Sequence, residues 1–63
     1  MSQFQDELDR CIGENQLSSW TNLSVQTLRR WRLQRRGPRF LKLGGAVRYR
    51  VRDVESWLAA SLN

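Results

Sequence analysis

Ser24-Val25-Gln26-Thr27-Leu28-Arg29-Arg30-Trp31-Arg32-Leu33-Gln34-Arg35 is the stretch on which the reading of this chain turns. On a helical wheel of about 100° per residue, Val25, Leu28 and Trp31 fall on one side, while Gln26, Arg30 and Leu33 fall opposite, flanked by Arg29. One face is therefore apolar, and the other carries hydrogen-bonding and cationic groups. Ser24 suits the N-cap, because its side-chain oxygen can accept from an early backbone N–H that has no partner within the helix. The helix is expected to run from about Val25 to Arg35. Gly37-Pro38 stops it, with Gly as the cap and Pro as a residue that cannot continue a helix.

Toward the N-terminus, Asn22-Leu23-Ser24 interrupts the apolar pattern, and Asn tolerates the left-handed conformation of a tight turn. Ile12, Leu17 and Trp20 supply the apolar positions of a short helix ending at Thr21. Gly13 either begins that helix as a weak N-cap or ends a preceding one. Two short helices joined by a three-residue turn, the second polar and basic outward, describe a helix-turn-helix. Further upstream Phe4, Leu8, Cys11 and Ile12 recur at i, i+4, i+7 and i+8, which predicts an amphipathic helix over residues 3–12. That stretch reads either as an added cover for a small core or as a surface for self-association or a partner. Cys11 is read as a small buried hydrophobe.

Toward the C-terminus, Arg39-Phe40-Leu41-Lys42-Leu43 and Ala46-Val47-Arg48-Tyr49-Arg50-Val51 flank Gly44-Gly45, the pattern of a β-hairpin with a two-residue turn. Val47, Tyr49 and Val51 alternate with Arg48, Arg50 and Arg52, so one face packs on the core and the other is cationic. If Leu43 pairs with Ala46, Phe40 sits opposite Tyr49 on the core face, and Leu41 and Leu43 lie on the arginine face. Asp53 suits the first turn of a final helix, where its charge complements the helix dipole. Val54, Trp57, Leu58 and Leu62 form that helix's core stripe. Trp20, Trp31 and Trp57 each fall on an apolar helical face and are all expected in the core.

Composition narrows the function. A chain of 63 residues with one Cys and no His holds one small domain and offers no zinc site and no Ser-His-Asp or Cys-His arrangement. No cofactor or metal is expected, and the chain reads as a binding module rather than an enzyme. No apolar run approaches the roughly 18 residues that span a bilayer, and the acidic, polar start is unlike a signal peptide. A lone Cys fits a reducing cytoplasm.

The charge is segregated. Of 11 basic residues, ten of them Arg, all but Arg10 lie between Arg29 and Arg52, a segment without a single acid, and the net charge of the chain is +5. Such a run is a solvated face, a surface for acidic membrane, or a surface for a polyanion. The apolar residues within it form no single broad helical face, which argues against the membrane. The preference for Arg over Lys suits bidentate recognition of phosphate and guanine. Nucleic acid is the expected partner.

Helix-turn-helix, Gly-Pro, basic hairpin and closing helix follow one another in the order of a winged helix. Leu17-Ser18 with Leu23-Ser24-Val25-Gln26-Thr27-Leu28-Arg29-Arg30-Trp31 resembles the helix-turn-helix of the small excisionase/AlpA-like proteins, relatives of the MerR-type DNA-binding domain. Arg36-Gly37-Pro38-Arg39-Phe40-Leu41-Lys42-Leu43-Gly44-Gly45-Ala46-Val47-Arg48-Tyr49-Arg50 resembles the wing of that family, and Asp53-Val54-Glu55-Ser56-Trp57-Leu58 its last helix. The likeness spans roughly residues 12–60. Thr21, Asn22 and Gly13 depart from it, standing where the family has Leu, Gly and a Ser or Thr cap.

The resemblance implies a mostly α fold with a small β-hairpin, and DNA binding without chemistry. It divides the chain into an arm at residues 1–12 and a winged helix-turn-helix at 13–63. Ser24, Gln26, Thr27, Arg29 and Arg30 are the expected major-groove set, with Gln26 and Arg30 reaching base edges and Thr27 and Arg29 bonding phosphates. Arg39, Lys42, Gly44, Gly45, Arg48 and Arg50 are the expected wing and backbone set. The partners implied are double-stranded DNA, adjacent copies of the chain on that DNA, and an integrase. The setting implied is cytoplasmic and nucleoid-associated, for a protein of bacterial or phage origin. Three functions follow in order: a recombination directionality factor that bends attachment-site DNA, a transcriptional regulator, and a protein-binding module with a basic docking face.

Overall fold

In the computed structural model, residues 10–62 are described. Apolar spacing and turn chemistry produce six elements: β1 (Cys11–Ile12), α1 (Glu14–Thr21), α2 (Val25–Leu33), β2 (Leu41–Leu43), β3 (Ala46–Arg50) and α3 (Val51–Ala60). The three helices surround an antiparallel sheet of order β1-β3-β2. This is a winged helix-turn-helix, mostly α with a small β region.

The turn between α1 and α2 is made as its residues dictate. Asn22 takes a left-handed φ of 61° and its N–H donates to the Ser18 carbonyl. Ser18 Oγ donates to the Leu23 carbonyl at 2.6 Å, tying the end of α1 to the turn. Ser24 caps α2, its side chain accepting from the Thr27 N–H at 3.0 Å. Gly13 takes the N-cap of α1 with no side-chain bond.

Beneath the two helices lies a core of Ile12, Leu17, Leu28, Tyr49, Val51 and Val54, with Leu23 and Val47 packed against it. Each apolar side chain removed from water here contributes roughly 1.5–3 kcal/mol. Leu28 anchors α2, so the opposite face of that helix is held outward.

The hairpin has the expected register: Leu43 pairs with Ala46, Lys42 with Val47 and Leu41 with Arg48. Gly44 takes a φ of 67°, which the two-residue turn requires. The Phe40 and Tyr49 rings meet at 6.5 Å as that register implies, and Leu43 is exposed on the same face as Arg48.

Several expectations are corrected. Cys11 and Ile12 end no helix; they are a strand paired to Arg50 and Tyr49, because an extended chain brings Ile12 onto the sheet's core. Phe4 and Leu8 lie outside the described residues. Val51 does not extend the hairpin but opens α3, and Arg52 follows it onto the helix. α2 stops at Leu33, two residues early, and its terminal left-handed residue is Arg35 at φ 58°, not Gly37. The Arg36 N–H bonds the Trp31 carbonyl and the Arg35 N–H bonds the Arg32 carbonyl, the paired bonds of a Schellman motif. Gly37 serves a different need. It also has positive φ, and a Cβ there would stand 3.2 Å from Trp31 Cε3.

Of the three tryptophans, Trp31 and Trp57 are half-buried and meet edge to face at 5.9 Å. Trp20 is 49% exposed, and of the α3 stripe Leu58 and Leu62 are exposed at 47% and 83%. A helical stripe fixes which residues share a face. In a domain this small there are too few elements to cover every face.

Candidate nucleic-acid interface

α2 turns its cationic side away from the core. Gln26, Arg30 and Leu33 are all exposed on that side, whereas Leu28 is buried and Val25 and Trp31 are half-buried. Gln26 and Arg30 stand one turn apart, about 6 Å along the axis. Thr27 is half-buried, and its hydroxyl accepts from Ser24 Oγ at 2.9 Å, so both groups close the helix N-terminus.

Arg29 and Arg32 are engaged within the protein. Arg29 Nη2 meets Glu14 Oε1 at 2.6 Å, and its Nε lies 3.2 and 3.3 Å from the two carboxylate oxygens. Arg32 Nη1 reaches Glu14 Oε2 at 3.3 Å and donates to the Tyr49 hydroxyl at 2.9 Å. Its guanidinium also lies 5.8 Å from the centre of the Phe40 ring. Glu14 at the start of α1 is thus tied to α2 twice, and Arg32 carries the connection to β3 and to the chain entering β2. The hydrogen bond from Arg29 holds the Glu14 carboxyl below the usual glutamate range, with a smaller opposing contribution from desolvation.

Of this network only Arg29 is among the expected site residues, there as a phosphate contact, although the wheel contains the signal for Arg32. Arg32 falls about 20° from Val25, on the inward side. A half-buried cation at that position needs acceptors, and the half-buried Glu14 and the buried Tyr49 supply two.

The hairpin presents Arg39, Lys42 and Arg48 as exposed cations, with Gly44 and Gly45 open at its tip. Arg48 Nη1 donates to the Val47 carbonyl at 2.8 Å. Arg50 is set apart from them. It precedes α3 and its Nε bonds Asp53 Oδ2 at 2.9 Å. Beyond α2, Arg36 stacks over the Trp31 ring at 5.0 Å. Among the described residues, Arg30, Arg35, Arg36, Arg39, Lys42 and Arg48 form no ion pair with a carboxylate. These cations lie on α2, on the chain after it and on the hairpin.

Between α2 and the hairpin runs an open cleft of about 350 Å³, lined by Arg29, Arg32 and Leu33 on one side and Phe40, Lys42, Gly45 and Val47 on the other. Its lining mixes the apolar Leu33, Phe40 and Val47 with the cationic Arg29, Arg32 and Lys42. No helix is long and apolar enough to cross a membrane, and no group of three or more His, Cys, Asp or Glu could hold a metal ion, among the described residues.

A family model described as a helix-turn-helix domain matches residues 15–61, from α1 through the end of α3. No curated protein and no solved structure matches the chain.

Proposed function

The chain belongs to the helix-turn-helix domain family, which makes it a small DNA-binding protein, and from that premise we propose how it binds and to what end. α2 enters the major groove. Gln26 reads adenine and Arg30 guanine, each through paired hydrogen bonds to the base edge. Ser24, Thr27 and Arg29 lie beside the phosphates of the same groove. The hairpin follows the backbone or enters the neighbouring minor groove, with Arg39, Lys42 and Arg48 on phosphates and Gly44-Gly45 allowing close approach. Arg50, whose Nε bonds Asp53 Oδ2 at 2.9 Å, is set apart from these phosphate contacts.

The observation that carries this reading is the shared outward face of Gln26 and Arg30 on a helix whose other side is pinned by Leu28, beside cations that no carboxylate neutralises. Ordered donors facing solvent, without internal partners, are what a base edge can use.

Within DNA binding, we favour a recombination directionality factor, which binds several attachment-site sequences and bends the DNA so that an integrase excises. The small size supports this over a stand-alone regulator. One such domain covers little DNA, and useful affinity then comes from adjacent copies or a bent site. The exposed Trp20, Leu58 and Leu62 are available for contacts between copies or with the integrase.

Titrating the protein against attachment-site DNA and a scrambled duplex in a gel-shift assay tests the reading. Cooperative, sequence-dependent shifts support the architectural role, and an excision assay then follows. A single discrete shift on a promoter fragment supports the regulator. Equal, weak binding to both duplexes would overturn sequence-specific recognition and leave the basic face as a docking surface for an acidic protein.

A further inference from the structure

We infer that Leu33 is a third specificity-determining residue of α2, and that the group it recognises is the 5-methyl of thymine. The inference rests on the proposal that α2 lies in the major groove.

Leu33 falls about 20° from Gln26 on the helical wheel, two turns further along the same outward face. It is the most exposed large apolar side chain among the described residues, at 88%. Its burial therefore adds almost nothing to the fold. A lone exposed leucine requires no explanation on an ordinary surface. This one stands on the face that carries Gln26 and Arg30, and it lines the cleft together with Phe40, Val47 and Lys42.

What the side chain could meet is limited by the chemistry of the groove. Major-groove base edges present acceptors, donors and a single apolar group, the thymine methyl. Opposite an acceptor or a donor, Leu33 would strip water from a polar group and return no hydrogen bond. Opposite the methyl, both partners leave water and nothing polar is lost. Gln26 and Arg30 each select through hydrogen bonds, and Leu33 adds an apolar criterion to the same face.

The test begins with the full chain and a randomised duplex pool, from which preferred sites are selected. Each thymine of a selected site is then replaced singly by deoxyuridine, which removes the methyl and leaves every hydrogen bond. Affinities are measured at one salt concentration for the wild type, Leu33→Ala and Leu33→Gln. Burying one methyl predicts about a fourfold weakening for the wild type at one thymine. Leu33→Ala and Leu33→Gln should bind the thymine and uracil duplexes equally at that position. Because Leu33 is outside the core, circular dichroism melts of both variants should overlay the wild type.

Uniform indifference to uracil in a protein that still selects a site would overturn the role of Leu33 alone. So would a uracil effect that persists in Leu33→Ala, or selected sites without a constant thymine. Failure of the pool to enrich any sequence would overturn the groove placement of α2 and this inference with it.

Discussion

Arg30 and Arg48 carry the same guanidinium, and both are exposed, yet their surroundings differ. Arg30 stands on the outward face of α2, one turn from Gln26. Arg48 lies along the hairpin and bonds its neighbour's carbonyl. Replacing Arg30 with Ala should cost about 1–3 kcal/mol on a selected site and relax the preference at one base pair. Replacing Arg48 with Ala should weaken all duplexes about equally. Fluorescence anisotropy with specific and random DNA separates the two, and an Arg30→Ala protein with unchanged affinity for both would refute the groove assignment. Glu14 belongs to the same scale but acts on stability. Its folded pKa is depressed, chiefly by the Arg29 hydrogen bond. Its contribution is therefore complete above the ordinary glutamate value of about 4.3 and is lost as pH falls through the lower folded value. Urea melts of wild type and Glu14→Gln should differ at pH 7 and converge below about pH 4. A gap that does not change with pH would mean that side-chain shape, not charge, is what Glu14 supplies.

At the scale of the element, α2 is well started and awkwardly finished. Ser24 satisfies the Thr27 N–H at its N-terminus, as the residue type suggests. At the other end the left-handed position falls on Arg35, although a residue with a Cβ is disfavoured there by about 1–2 kcal/mol. Arg35→Gly should stabilise the domain, and after the extra chain entropy of glycine the net gain is about 0.5–1 kcal/mol. A thermal melt should show this as a rise of a few degrees. A lower midpoint would show that the Arg35 side chain has a stabilising contact outweighing its backbone cost. At Gly37 a Cβ would carry the same left-handed backbone cost and would also stand 3.2 Å from Trp31 Cε3, so that the ring would have to shift.

At the scale of the whole molecule, the cationic segment is divided by its internal partners. Arg29, Arg32 and Arg50 meet carboxylates of the same chain, while the exposed Arg30, Arg35, Arg36, Arg39, Lys42 and Arg48 lie on α2, on the chain after it and on the hairpin. If about five cations reach phosphates, log K against log salt should fall with a slope near −4 to −5. A slope near zero would remove the phosphate contacts from the account. The fold that displays these charges is small. Its core consists of Ile12, Leu17, Leu28, Tyr49, Val51 and Val54, and apolar residues at Trp20, Leu58 and Leu62 stay exposed. Stability is therefore modest, and bound DNA should add to it by mass action.

What the sequence determined by itself is what depends on neighbours along the chain. The α1–α2 turn followed from Asn22 and Ser24, the hairpin and its register from Gly44-Gly45 between alternating strands, and the outward face of α2 from its period. Charge segregation and the resemblance across residues 12–60 pointed to DNA, and the match over residues 15–61 agrees. What only the tertiary structure decided depends on residues far apart in sequence. A two-residue strand has no period to read, so β1 exists only because β3 lies beside it. Val51 turns into α3 with no side-chain cap to announce the helix. The Glu14–Arg29–Arg32–Tyr49 network joins positions up to 35 residues apart. Periodicity sorts Trp20, Leu58 and Leu62 onto helical faces. Whether a face is covered depends on what else the fold has to place against it.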